Sequence, residues 1–192
     1  MSRIDTLMAK MSLPEKLGQM TMTASNYATT GPVIAGDSTE AIKAGTIGNL
    51  LNMVGADHVR AMQRLAVEES RLGIPLLIGF DVLHGHRTLF PIPLAEAGVF
   101  DPRTWASTAR EAAREAAADG LAMTFAPMLD VSRDARWGRI AESPGEDPWL
   151  AARFAEAKVR GFQGNDLAAP DALAAVAKHF CAYGASIAGR DY

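Results

Sequence analysis

Cysteine is all but missing from this chain. Among 192 residues there is one, Cys181, which excludes an internal disulfide framework and says little about compartment. Long apolar runs are missing as well. The opening MSRIDTLMAKMSLPEKLGQM is punctuated by charge and holds no seven-residue apolar run, so it reads neither as a signal peptide nor as a membrane span. Nor is there an excess of one charge: 19 Lys and Arg against 22 Asp and Glu leave a net −3, with the signs interspersed. Nucleic acid and anionic membrane surfaces need a basic footprint, so neither is expected as a partner. No internal repeat appears, and no low-complexity tract beyond alanine-rich stretches. No Gly-x-Gly-x-x-Gly follows a strand-like run, which argues against a dinucleotide-binding domain. What is present in quantity is apolar side chain, 48% of the 192 residues. That is enough to bury a core, and residues 1–192 are expected to form one domain or part of one.

Residues 4–20 carry helical periodicity broken at Ser12-Leu13-Pro14-Glu15, where Ser12 can cap a second helix with Glu15 at its third position. Residues 23–39, rich in Gly, Pro, Ser, Thr and Asn, read as loop. An alternation then begins. Strands are predicted at 47–54, 75–80, 123–129 and 174–180, and helices at 57–71, 101–119 and 147–163. Asp101 and Asp147 stand at the caps of the last two helices, each followed by proline at the first helical position. Apolar strands without polar alternation, separated by helices, predict an α/β fold with a parallel sheet covered on both faces. Doubly wound sheets and (β/α)8 barrels both fit. Polar residues gather just past the strand ends, at 81–87, at 130–139 and at Lys178-His179, where a barrel keeps its active site. The barrel is therefore preferred, as the first half of a TIM-like (β/α)8 barrel: about four βα units behind an N-terminal helical segment.

The segment 130–148, DVSRDARWGRIAESPGEDP, is far longer than a strand-to-helix loop needs. It packs three Asp, two Glu, three Arg and a Trp, a composition that suits the wall of a site for a polar ligand. A plainer reading makes most of Arg133, Arg136, Asp134, Glu142, Glu146 and Asp147 a salt-bridge web, with Trp137 packed against the loop. One of the three arginines, Arg133, Arg136 or Arg139, can still turn inward, since a guanidinium fork suits vicinal hydroxyls or a carboxylate. Asp81 ends the second strand and can accept from a sugar diol, hold a metal, or simply stabilise its loop. His84 and His86 invite a zinc reading, but structural zinc needs about four protein ligands and catalytic zinc about three. Lys178 and His179 are neighbours, and neighbours on a regular strand face opposite sides. Both reach one site only if the backbone there departs from β geometry. Lys178 also admits a Schiff-base role, and Cys181 reads as a small buried thiol rather than a nucleophile.

Three stretches, GIPLLIGFDVLHGHRTLFPIPLAEAGVFDP, MTFAPMLDVSRDARWGRIAESPGEDPWL and AVAKHFCAYGASIAGRDY, together with MSLPEKLGQM near the start, resemble glycoside hydrolase family 3. The likeness is to the bacterial periplasmic-type β-glucosidases of that family. It implies that Asp81, Arg139, Lys178 and His179 bind hydroxyls of the non-reducing glucose, with Arg190 or Asp191 at the rim. It implies hydrolysis of terminal β-D-glucosyl residues with retention, no cofactor, no metal, and a periplasmic or secreted setting. The nucleophilic Asp and the acid/base Glu are expected beyond Tyr192, so no catalytic residue is assigned here. The resemblance thus implies a fragment, inactive alone and prone to self-association, or complemented by a C-terminal half. Text after Lys178-His179-Phe180 lacks the Pro and His of the family's N-acetylhexosaminidases. Asp81, where xylosidase-type relatives tend to carry Glu, suits a hexose. The alternatives are a non-catalytic sugar-binding or complementing fragment and, more distantly, a metal-dependent hydrolase on a barrel.

Overall fold

The structure, a computed structural model, describes residues 2–24 and 38–187. They fall into two compact units, Met1–Phe80 with Asp119–Leu121, and Asp81–Ala118 with Ala122–Tyr192.

The first unit opens on two short helices, α1 (Arg3–Lys10) and α2 (Leu13–Gln19). Each begins with a capping box: the Ser2 and Ser12 hydroxyls accept from the third helical N–H, and Asp5 and Glu15 reach back. The reciprocal bonds satisfy donors that a helix start otherwise leaves open. Glu15 is held a second time, by Arg71 Nε at 2.9 Å and Nη2 at 2.6 Å. Strands β1 (Met22–Ala24), β2 (Asn49–Leu51) and β3 (Leu77–Phe80) pair in parallel, with Thr23 opposite Leu50 and Leu50 opposite Ile78. Helices α3 (Thr39–Lys43) and α4 (Ala56–Arg64) lie between them in the chain. Ile42, Leu50 and Ile78 are almost fully buried and form the core of this unit. Gln63 locks the entry to β3, its amide donating to the Leu76 carbonyl at 2.8 Å and accepting from the Leu76 N–H at 2.9 Å.

The second unit packs α5 (Pro93–Ala97), α6 (Pro102–Ala118) and α7 (Pro148–Gln163) with the parallel pair β4 (Met123–Thr124) and β5 (Ala174–Ala175). Proline at the first turn of α6 and α7 costs no hydrogen bond, because that N–H has no intrahelical acceptor. Asp147 caps α7 as the sequence predicts, accepting from the N–H groups of Trp149 and Leu150. The alanines of α6 let α7 come close: Ala109, Ala112, Ala113 and Ala116 are buried. Trp105 meets Phe154 edge-on at 5.3 Å and donates its indole N–H to the Glu96 carbonyl. Beneath them lies an ion pair almost closed to water, Lys158 Nζ to Glu96 Oε2 at 2.7 Å.

The α/β alternation is present, with corrections at element level. The segment read as loop holds a strand, β1, so there are five strands among the described residues rather than four; three residues are too few to register as a period. Of that predicted loop, residues 25–37 lie outside the described residues. Helix 57–71 is α-helical only to Arg64 and continues as a π-helical turn, Leu65–Glu69. Two predicted strands are far shorter than their apolar runs, because Pro127 has no N–H to donate to a ladder. Pairing nonetheless resumes beyond it. Lys178 N–H bonds the Pro127 carbonyl at 3.1 Å, and Leu129 N–H bonds the Lys178 carbonyl at 2.7 Å. That extension sets Lys178 beside Met128 and brings the start of the 130–148 loop to His179.

Candidate active site

Four of the side chains singled out by sequence meet in the second unit. Asp81 is placed by its neighbour: Val82 is fully buried and donates its N–H to the Thr124 hydroxyl at 3.0 Å, so Asp81 is left half-exposed. Its Oδ1 accepts from Lys178 Nζ at 2.7 Å. Arg139 forms a two-pronged pair with Glu142, Nε and Nη2 each donating at 2.7 Å. The 3-10 turn Ile140–Glu142 sets that spacing. Arg139 Nη1 faces His179 Nε2 at 3.1 Å, and the guanidinium lies over the Tyr183 ring, 5.6 Å from its centre.

Asp81, Leu83, Gly138, Arg139, Glu142 and Lys178 line an open cavity of about 520 Å³, within the range of small-molecule sites. His179 reaches this cavity through Arg139 rather than as part of its lining. The Lys178–His179 peptide is cis.

The loop 130–148 is ordered by its own polar groups. Ser143 donates its hydroxyl to the Asp130 carbonyl at 2.8 Å and accepts from Gly145 N–H at 3.0 Å, and Ser132 N–H bonds the Gly145 carbonyl. Its charges make separate local pairs, Arg136 with Asp134 and Arg139 with Glu142, and a helix cap at Asp147. Trp137 is buried and packs edge-on against Tyr183, so it is a packing residue.

A family model, the glycosyl hydrolase family 3 N terminal domain, matches residues 12–191. The chain belongs to this family. The periplasmic beta-glucosidase of Salmonella typhimurium is 41% identical to the family 3 chain over 189 residues, covering 98% of this chain and 24% of that protein. A β-glucosidase from Listeria innocua, solved in complex with isofagomine, matches at a TM-score of 0.85 and 39% identity, over 98% of this chain and 27% of that one. The same enzyme in complex with glucose gives 0.85 and 38%, over 97% and 28%. The family 3 chain thus spans about a quarter of the length of these relatives. Its fold is the one the sequence predicts, the first part of a TIM-like barrel.

Arg139 and Glu142 favour each other's charged form. Burial works to raise the Glu142 carboxyl, but the hydrogen bonds and charge of Arg139, with Lys178 nearby, outweigh it and hold the group below its ordinary value. The same Glu142 bonds, opposed by burial and helped by Tyr183, raise the Arg139 guanidinium above its ordinary value. The cavity presents the carboxyl oxygens of Asp81 and Glu142 as acceptors and the side-chain nitrogens of Lys178 and Arg139 as donors, the complement of a polyhydroxylated, uncharged ligand.

Among the described residues no group of three His, Cys, Asp or Glu is placed to hold a metal ion. His84 Nδ1 instead lies 3.0 Å from the Phe90 carbonyl, closing its own loop. Cys181 is exposed, contrary to the buried thiol expected of it, and sits at φ 63°. Arg190 and Asp191 lie outside the described residues. Sequence reasoning passed over Asp130 and Tyr183, which contact His179, and treated Glu142 as scaffold. An Asp directly after an apolar run was the one available signal for Asp130.

Proposed function

We propose that this chain supplies the glycone-binding part of a β-glucosidase that removes terminal non-reducing β-D-glucosyl residues with retention, residues 1–192 forming part of one barrel domain. The observation that carries the reading is the convergence of Asp81, Lys178 and the Arg139–Glu142 pair on one polar cavity. The names of the relatives and the bound glucose of the Listeria innocua enzyme support the same substrate class. In this reading Asp81 accepts from a sugar diol while Lys178 and Arg139 donate to it, and His179 completes the set beside Arg139. Hydrogen bonds of this kind accelerate hydrolysis where they strengthen as the ring flattens toward an oxocarbenium ion.

Retention also requires two carboxyl groups about 5–5.5 Å apart around the anomeric carbon. The family resemblance assigns them to parts of the enzyme other than residues 1–192. Expected behaviour follows: the 192-residue polypeptide binds glucose in a calorimetric titration and does not hydrolyse an aryl β-glucoside. Turnover by the isolated polypeptide that Asp81→Ala abolishes would mean that the catalytic groups have been misplaced. A second reading, a non-catalytic or complementing sugar-binding polypeptide, is favoured by the same cavity. Glucose binding that persists, with no hydrolysis after addition of a polypeptide carrying the rest of a family 3 barrel, would select it.

A further inference from the structure

Asp130 does not line the cavity, and only 2% of its side chain is exposed. One oxygen, Oδ2, takes two bonds from the same residue, the His179 backbone N–H at 3.1 Å and ring Nδ1 at 2.8 Å. The other ring nitrogen, Nε2, faces Arg139 Nη1 at 3.1 Å. These partners dictate where the ring proton sits. A carboxylate only accepts and a guanidinium only donates, so the proton belongs on Nδ1 and Nε2 turns its lone pair to Arg139. The opposite tautomer would set two N–H groups against each other and leave Nδ1 facing the carboxylate with no proton between them.

We propose that Asp130 is a positioning residue of the sugar site, fixing the His179 tautomer and through it the guanidinium of Arg139. The proposal rests on reading Arg139 as a sugar contact. Its other anchor, Glu142, is three residues along on the same loop and moves with it. His179 follows Lys178, whose carbonyl is bonded by Leu129, so the Nε2 contact ties the loop to the framework. Nor is Asp130 free to shift: a Cβ on Gly184 would lie 3.1 Å from its own Cβ and 2.6 Å from the Val131 carbonyl oxygen. The 3-10 turn Tyr183–Ala185 closes directly over it, and Tyr183 meets the His179 ring edge-on at 4.7 Å.

Long-range 1H–15N correlation spectra of the 192-residue chain read the tautomer, with the His179 signals assigned by their loss in His179→Gln. Glucose titrations on the same samples read the site. The native chain is expected in the Nδ1–H form. Asp130→Ala is expected to move His179 toward Nε2–H and to weaken glucose binding about fivefold or more, the scale of one lost hydrogen bond. Asp130→Asn is expected to keep the native tautomer, because the His179 backbone N–H can only donate and so holds the amide oxygen in place. An Nε2–H form in the native chain would overturn the proposal without any variant. So would an Asp130→Ala chain that folds and keeps both tautomer and affinity. Should glucose fail to bind the native chain, the sugar reading falls, and the tautomers of the native and Asn chains still decide the role of Asp130.

Discussion

Lys178 Nζ and Asp81 Oδ1 lie 2.7 Å apart, although 97 positions separate them in the chain. The ammonium is largely covered and the carboxylate about half open, with side-chain exposures of 14% and 47%. A sugar diol arriving at the cavity would find an acceptor and a donor already side by side. Asp81→Ala should therefore raise the glucose dissociation constant about 10- to 100-fold, the equivalent of one or two charge-assisted hydrogen bonds. Calorimetry on the folded variant measures this, and an affinity within about twofold of native, well under one such bond, would remove Asp81 from the site.

The Lys158–Glu96 pair tests the interior. Burial pushes the Lys158 ammonium below its ordinary value, and the attraction of Glu96 offsets this only in part. The Thr108 hydroxyl bonds Glu96 Oε1 and so ties α6 to the same carboxylate. Lys158→Met leaves that carboxylate buried without its cation and should cost about 3–5 kcal/mol in denaturant unfolding. Adding Glu96→Leu should return most of the loss, since an apolar pair of similar size carries no desolvation cost. A double variant as unstable as the sum of the singles would refute the account.

Gly161 sets two small terms against each other. Alanine is the better helix former by about 1 kcal/mol. A Cβ at this position, however, would lie 2.4 Å from the Ala106 carbonyl oxygen and 2.6 Å from the Ala109 Cβ. Both obstacles belong to α6, and Ala109 is fully buried, so the helices must part, at a cost of about 1–3 kcal/mol. Gly161→Ala should lower the midpoint of thermal unfolding; an unchanged or higher midpoint would show that α6 yields easily.

Glu15 predicts the acid limb of stability. The Arg71 hydrogen bonds, helped by those from Ser12, bring its carboxyl from 4.5 down to about 2. A carboxylate whose folded value is depressed binds its proton more weakly when folded, so its contribution is complete above the unfolded value and disappears as pH falls toward the folded one. Stability should thus fall between about pH 4.5 and 2. Glu15→Gln should flatten that decline as well as lower stability at neutral pH. Equal slopes for the two chains across this window would dismiss the assignment.

Much of this was legible in one dimension because it depends on neighbours in sequence. Ser12 and Glu15 are three apart, as are Arg139 and Glu142, and Asp147 precedes Pro148; such spacings settle caps and local pairs before any tertiary contact forms. The α/β alternation follows from apolar runs long enough to show their period. β1 escaped notice for the opposite reason, and the extent of β4 and β5 was misjudged because an apolar run does not reveal which of its N–H groups finds an acceptor. Asp130 was passed over among the loop charges because a buried carboxylate and an exposed one are the same letter.

By itself, then, the sequence determined the alternation of the longer helices and strands, the caps at Ser12 and Asp147, and the family through motifs that keep their spacing. The tertiary structure alone decided which distant groups meet: Asp81 with Lys178, and Asp130 with His179 and Arg139. Those encounters rest on a parallel register carried past Pro127 to Lys178, and on a loop closed by Ser143 onto the Asp130 carbonyl. Register and closure are properties of backbone hydrogen bonds between remote segments, and hydropathy and residue spacing within one segment carry no record of them.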